Sequence, residues 1–189
     1  MKKFKAIIIP TVVLTLICGI CAAGLGFTNS LTAKRIENSQ TMAEEKAMKR
    51  IISADSYSKK TYFDGTKSYE YNLAASESGD VLGYIITTTA NGYGGQVRVM
   101  VGIGSDSKIK AIEVVDVSSE TPGLGQNANN KTFWSEFEGK ESGVGVAKSN
   151  PSGNQVMAIT GATITSKAVA SCINNAFEIY EKITREGGV

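Results

Sequence analysis

Ala158-Ile159-Thr160-Gly161-Ala162-Thr163-Ile164-Thr165-Ser166 marks a change of chain direction. Before it, Gln155–Ile159 reads as a short strand. After it, Val169, Cys172, Ile173, Ala176, Phe177, Tyr180 and Ile183 recur at three- and four-residue spacing, the apolar stripe of an amphipathic helix. Lys167, Glu178, Glu181 and Lys182 lie off that stripe, and Gly187-Gly188 is expected to stop the helix. A strand, a glycine turn and a helix start crowded with hydroxyls leave two readings open. Free amides at a helix N-terminus suit an anion, above all a phosphate. Alternatively Thr163, Thr165 or Ser166 is an N-cap and nothing binds.

Working upstream, Tyr57 to Val117 reads as antiparallel strands. Tyr69–Ala75 and Val81–Ala90 flank the turn Ser78-Gly79-Asp80. Gln96–Ile103 alternates, with Val97, Val99, Val101 and Ile103 on one face, and Gly104-Ser105-Asp106-Ser107 turns into Lys108–Val117. Residues 118–126 are loop. Asn129–Phe137 is expected to form a short helix with Phe133, Trp134 and Phe137 inward, and Glu138–Asn154 a Gly/Ser-rich excursion.

At the other end, no charged residue occurs from Ala6 to Ala33. About twenty apolar residues at about 1.5 Å each span a hydrocarbon core of about 30 Å, so Ala6–Phe27 reads as a transmembrane helix in a lipid bilayer. A cleaved signal would have a shorter apolar run and a better cleavage site than Cys21-Ala22-Ala23. Lys2, Lys3 and Lys5 precede the segment, which puts the N-terminus in the cytoplasm and the remainder outside. Leu31, Ile36, Ala43, Ala47, Ile51 and Ile52 form an imperfect stripe on a helical stalk. Cys18 and Cys21 are read as small residues of the membrane helix, and Cys172 has no partner outside it.

Composition narrows the chemistry. The 189 residues contain no histidine, which excludes Ser-His-Asp and Cys-His catalysis and histidine metal ligands. No metal site is expected. Beyond Lys5 the chain holds 17 basic against 18 acidic residues, a poor match to a nucleic acid. Chemistry must come from hydroxyls, carboxylates, amides or a borrowed cofactor.

Three motifs carry a resemblance. Thr160-Gly161-Ala162-Thr163 with Ile164-Thr165-Ser166 resembles the [ST]-G-A-T-x-[ST] signature of FMN-binding domains. Gly92-Tyr93-Gly94-Gly95 and Glu120-Thr121-Pro122-Gly123-Leu124-Gly125 resemble that family in order and spacing. With an N-terminal anchor, the chain is most similar to the G subunits of Rnf ion-translocating ferredoxin:NAD oxidoreductases. Met157 stands where related domains often carry aspartate.

The resemblance implies an α+β fold: one transmembrane helix, then an extracytoplasmic FMN-binding domain with an antiparallel sheet and a long C-terminal helix. The expected divisions are 1–27 for the N-terminus and membrane helix, 28–54 for the stalk and 55–189 for the FMN-binding domain. The implied cofactor is FMN, joined by a phosphoester to Thr163 and bound also by Thr160, Gly161, Ala162, Ile164, Thr165, Glu120, Thr121 and Leu124. Glu120, Thr121 and Leu124 would lie beside the isoalloxazine, and the glycines of the two loops would allow positive φ and close contact with a flat ring. The implied role is an electron-transfer subunit of a translocating oxidoreductase in the cell membrane, with no turnover by this chain alone. Its partners would be the other Rnf subunits and a flavin transferase. The alternatives are the C subunit of the sodium-pumping NADH:quinone oxidoreductase, a stand-alone extracytoplasmic flavoprotein, or a membrane-anchored assembly module without cofactor.

Overall fold

The computed structural model describes residues 2–186, with side chains except those of residues 2–6, 33–41, 43 and 186. The expected Gly187-Gly188 stop, and the side chains of Ile36 and Ala43 in the stalk stripe, lie outside the described residues. The chain divides into two compact units, Met1–Glu44 and Glu45–Val189.

The first unit is formed by most of helix α1 (Lys2–Ile51). Within it, Ile7–Thr32 has a mean hydropathy of 2.4 and none of that window is buried. This helix is long and apolar enough to cross a membrane. Its threonine hydroxyls are satisfied internally. The hydroxyls of Thr11, Thr15, Thr28 and Thr32 each donate to the carbonyl four residues back, at 2.8–2.9 Å. In hydrocarbon, where no water would accept those bonds, this pairing removes the main cost of a threonine.

The second unit is a five-stranded antiparallel meander with helices on its faces. Strands β1 (Ser56–Phe63), β2 (Ser68–Ala75), β3 (Val81–Asn91), β4 (Gln96–Gly104) and β5 (Ile109–Asp116) are neighbours in sequence order. Beyond β5, a 3-10 turn (Gly125–Asn129) leads into α2 (Lys131–Ser135). Phe133 and Phe137 are buried edge to face at 5.2 Å, and the Trp134 indole N–H donates to the Ala128 carbonyl at 2.7 Å. Helix α3 (Thr163–Glu186) packs along β3 and β4. All seven residues of its expected stripe are buried. The Thr88 hydroxyl on β3 donates to the Cys172 carbonyl at 2.8 Å, pinning helix to sheet. Burial pushes the Cys172 thiol up to about 11.

Two expectations change. Strand β4 is buried on both faces from Val99 to Gly104, not on one. The reason is α1, whose last turns belong to this unit: Ala47, Ile51 and Ile52 form a second core with Ala74, Ile85 and Met100 on the sheet face opposite α3. Gly102 makes room for them, since a Cβ there would lie 2.1 Å from Ile51 Cγ2. The second change is that β7 ends at Met157 (Gln155–Met157) and pairs in parallel with β6 (Gly145–Ala147), inside the segment expected to be irregular. Ala158 N–H still donates to the Ala147 carbonyl at 2.8 Å. Three residues between glycines are too few to carry a readable alternation.

Candidate functional site

The junction after β7 is built around Gly161. Its φ of 76° is a left-handed turn that L side chains rarely adopt, and a Cβ there would meet Leu124 Cδ2 at 2.9 Å. Ala162 N–H closes the turn on the Ile159 carbonyl at 2.9 Å. Ser166 latches it: its hydroxyl accepts from Ile159 N–H and donates to the Ala162 carbonyl, both at 3.0 Å.

Helix α3 begins at Thr163, so Thr163, Thr165 and Ser166 are inside its first turn and none is the N-cap. The preceding residue is Ala162, which has no side-chain oxygen. Ser166 N–H is the first to bond back, to Ala162 O at 3.0 Å. By helix geometry the N–H groups of Thr163, Ile164 and Thr165 therefore have no intrahelical acceptor. Such an end attracts negative charge, by about 0.3–2 kcal/mol.

These amides open on a cleft of about 520 Å³, within the usual range of small-molecule sites. It brings together eight of the nine residues singled out from the sequence: Gly161, Ala162, Thr163, Ile164 and Thr165 from one side, Glu120, Thr121 and Leu124 from the other. Thr160 is exposed beside it and is not part of the lining. Tyr93 and Gly125 line the cleft too and were not picked out individually, although both stand inside the quoted motifs. An aromatic residue between glycines was the available signal for Tyr93. Tyr93, Leu124 and Ile164 expose 73%, 43% and 53% of their surface, an apolar rim around polar contents.

The hydroxyls are not equivalent. Thr165 is buried and donates to Glu120 Oε2 at 2.6 Å. Thr163 is half-buried in the cleft wall, and its hydroxyl has no hydrogen-bond partner among the described residues. Glu120, only 2% exposed, also accepts at Oε1 from Gly94 N–H at 3.0 Å. Desolvation pushes its carboxyl up, but hydrogen bonds from Thr165 and from the Gly94, Tyr93 and Gly95 amides outweigh that and hold it below the usual carboxylate range.

This corrects the expected work of the loop glycines. Among those in the two loops, only Gly123 has left-handed φ, at 76°. The others make room for protein rather than for a positive-φ turn: a Cβ on Gly92 would lie 2.2 Å from Glu120 Oε1, one on Gly125 2.5 Å from Oε2, and one on Gly94 2.1 Å from the Ser119 carbonyl.

The residues fit a phosphate-bearing flat cofactor. Free amides and an available hydroxyl meet at one end, and apolar side chains flank the rest. Residues 92–178 match the FMN-binding domain family, and residues 1–51 match the RnfG N-terminal region. The chain is 30% identical to the G subunit of the Na(+)-translocating ferredoxin:NAD(+) oxidoreductase complex of Acetobacterium woodii, over 92% of this chain and 91% of that one. It is 29% identical to the G subunit of the proton-translocating ferredoxin:NAD(+) oxidoreductase complex of Clostridium ljungdahlii, over 94% and 93%. Among solved structures, the C subunit of the Na(+)-translocating NADH-quinone reductase of Parabacteroides distasonis superposes with a TM-score of 0.54 at 28% identity, over 63% of this chain and 64% of that one. Membrane-length helix, meander, cleft and full-length similarity agree, and the chain belongs to the family of G subunits of ion-translocating oxidoreductase complexes.

Proposed function

We propose that this chain is the FMN-carrying electron-transfer subunit of a membrane-bound ferredoxin:NAD oxidoreductase that couples electron flow to Na⁺ or H⁺ translocation. The observation that carries the reading is the cleft at the start of α3, where the Thr163 side chain stands beside three amides without intrahelical acceptors. The G-subunit relatives match over more than 90% of both chains, whereas the C-subunit structure matches 63% of this one, which favours the Rnf reading over the quinone-reductase alternative.

In this proposal the FMN phosphate is esterified to Thr163. A flavin transferase moves the FMN phosphoryl group from a flavin dinucleotide to the threonine oxygen. The donor's phosphoanhydride bond breaks, a nucleoside monophosphate leaves, and the hydroxyl proton passes to solvent. The first-turn amides of α3 offset the charge remaining on the phosphodiester. Gly161 lets the backbone turn close beneath it, and Ala162 adds no bulk. Leu124, Ile164 and Tyr93 give an apolar surface to the ring, and Thr121 a polar edge. When bound, FMN supplies one- and two-electron redox chemistry, so the chain needs no histidine of its own. Tethering suits a site outside the membrane, where a free cofactor would be lost by dilution.

The membrane helix anchors the domain and, from Lys2, Lys3 and Lys5, orients it outward in the cell membrane. No charged residue from 6 to 33 offers an ion path, so translocation falls to the other members of the complex. Intact-mass spectrometry of the chain from its native membrane tests the reading. An added mass equal to FMN less water, lost on Thr163→Ala, is the expected result. An unmodified chain rejects it.

A further inference from the structure

We propose that Glu120 is the positioning residue of this site, tying the loop at 92–95, the loop at 120–125 and the first turn of α3 into one frame. The inference rests on the FMN reading and assigns to Glu120 a task beyond touching the ring.

Three segments meet at one carboxylate. Oε2 accepts from the Thr165 hydroxyl at 2.6 Å, inside α3. Oε1 accepts from Gly94 N–H at 3.0 Å, in the loop at 92–95. The chain is shaped to admit it: a Cβ on Gly92 or on Gly125 would lie 2.2 Å or 2.5 Å from its oxygens. Two of these segments are surface loops with exposed tips at Tyr93 and Leu124. Without a shared anchor, each could move independently of Thr163.

A carboxylate is an expensive way to fill buried space. An apolar side chain of similar volume would pack at lower cost, and a buried charge is repaid only when its lone pairs are well bonded. Glu120 meets that condition, since it is 2% exposed and bonded on both oxygens. What the carboxylate adds over an apolar residue is direction. It fixes the distance between the phosphate end of the cleft and its ring end. It also places a fixed negative charge in the cleft wall, where it disfavours added electron density on a bound ring.

The test uses the full-length chain purified from membranes, comparing wild type with Glu120→Gln, Thr165→Val and Thr165→Ser. Far-UV circular dichroism reports folding, intact mass reports attached flavin, and visible circular dichroism with redox titration reports the flavin's setting. Glu120→Gln keeps the shape and removes the charge. It should retain FMN on Thr163 with a raised reduction potential and an altered visible dichroism. Thr165→Val should alter the visible dichroism and lower the attached fraction, and Thr165→Ser, which keeps the hydroxyl, should restore both. Wild-type dichroism and potential in folded Glu120→Gln and Thr165→Val would overturn the proposal. If Glu120→Gln does not fold, the Thr165 pair decides alone, with equal behaviour of Val and Ser counting against it. Absence of flavin from the wild type is distinguishable from these outcomes and overturns the FMN reading together with this inference.

Discussion

Thr165 and Glu120, 45 residues apart in sequence, share a 2.6 Å hydrogen bond at the base of the cleft. That bond separates two threonines that look alike in the chain. Thr165 is committed inward, whereas Thr163 lines the cleft with a hydroxyl that has no hydrogen-bond partner among the described residues.

The three hydroxyls of the junction should therefore respond differently to removal. Thr163→Ala is expected to abolish covalent flavin and to leave the domain folded, because Thr163 is not the N-cap of α3 and its hydroxyl bonds to nothing among the described residues. Thr160→Ala removes an exposed hydroxyl outside the lining and should leave labelling intact. Flavin fluorescence on a denaturing gel reads both. Label persisting on Thr163→Ala would place the ester elsewhere.

Leu124 lies against Gly161, within 2.9 Å of where a Cβ would be, and exposes 43% of its surface to the cleft mouth. Leu124→Ala should open the ring end to water while leaving attachment untouched. The expected result is a normal intact mass with a shifted visible spectrum and reduction potential. An unchanged spectrum and potential would mean that residues 120–125 are a structural turn only.

Outward orientation predicts that a cysteine replacing exposed Ser142 reacts with an impermeant thiol reagent on intact cells. Background should be low. Cys172 is buried with its thiol raised to about 11, and Cys18 and Cys21 lie in the apolar helix. Labelling that requires lysis would invert the topology.

Gly102 is where α1 meets the sheet. Gly102→Ala would drive a methyl to 2.1 Å from Ile51 Cγ2, and overpacking of this kind costs about 1–3 kcal/mol. Thermal unfolding should show the loss. The double variant Gly102→Ala/Ile51→Ala should lose less than the sum of the two single changes, because each relieves the other's defect.

A clamp at the far end of α3 gives a pH signature. The Lys182 ammonium donates to Asp64 Oδ2 at 2.9 Å, the Lys67 and Thr66 amides donate to Oδ1, and the Tyr69 hydroxyl adds another bond. Together they hold the Asp64 carboxyl well below its ordinary 3.8, and the same pairing raises Lys182. A depressed carboxyl contributes stability that is full above the unfolded pKa and lost as pH falls through the folded one. Asp64→Asn should thus lower the melting temperature at neutral pH, with the gap to wild type closing as the solution is acidified below about pH 4. A gap that is constant down to strongly acid pH would deny the clamp its charge.

Much of this architecture is local, and so was legible in the chain. The uncharged stretch from Ala6 to Ala33, the alternation of Val97, Val99, Val101 and Ile103 and the stripe from Val169 to Ile183 are each read within one element. The nine candidate site residues could be found because their types are unusual in sequence, and the cleft gathers eight of them, leaving out Thr160. Only the tertiary structure could decide what depends on residues far apart. Burial of β4 on both faces requires the end of α1, and the short parallel pair β6–β7 joins segments with no period of their own. The division of labour between Thr163 and Thr165 needs Glu120 to arrive from another loop. So do the places of Gly92 and Gly125, whose missing side chains leave room for its carboxylate. Periodicity records which face of an element is buried, but carries no information about which distant group will meet it there.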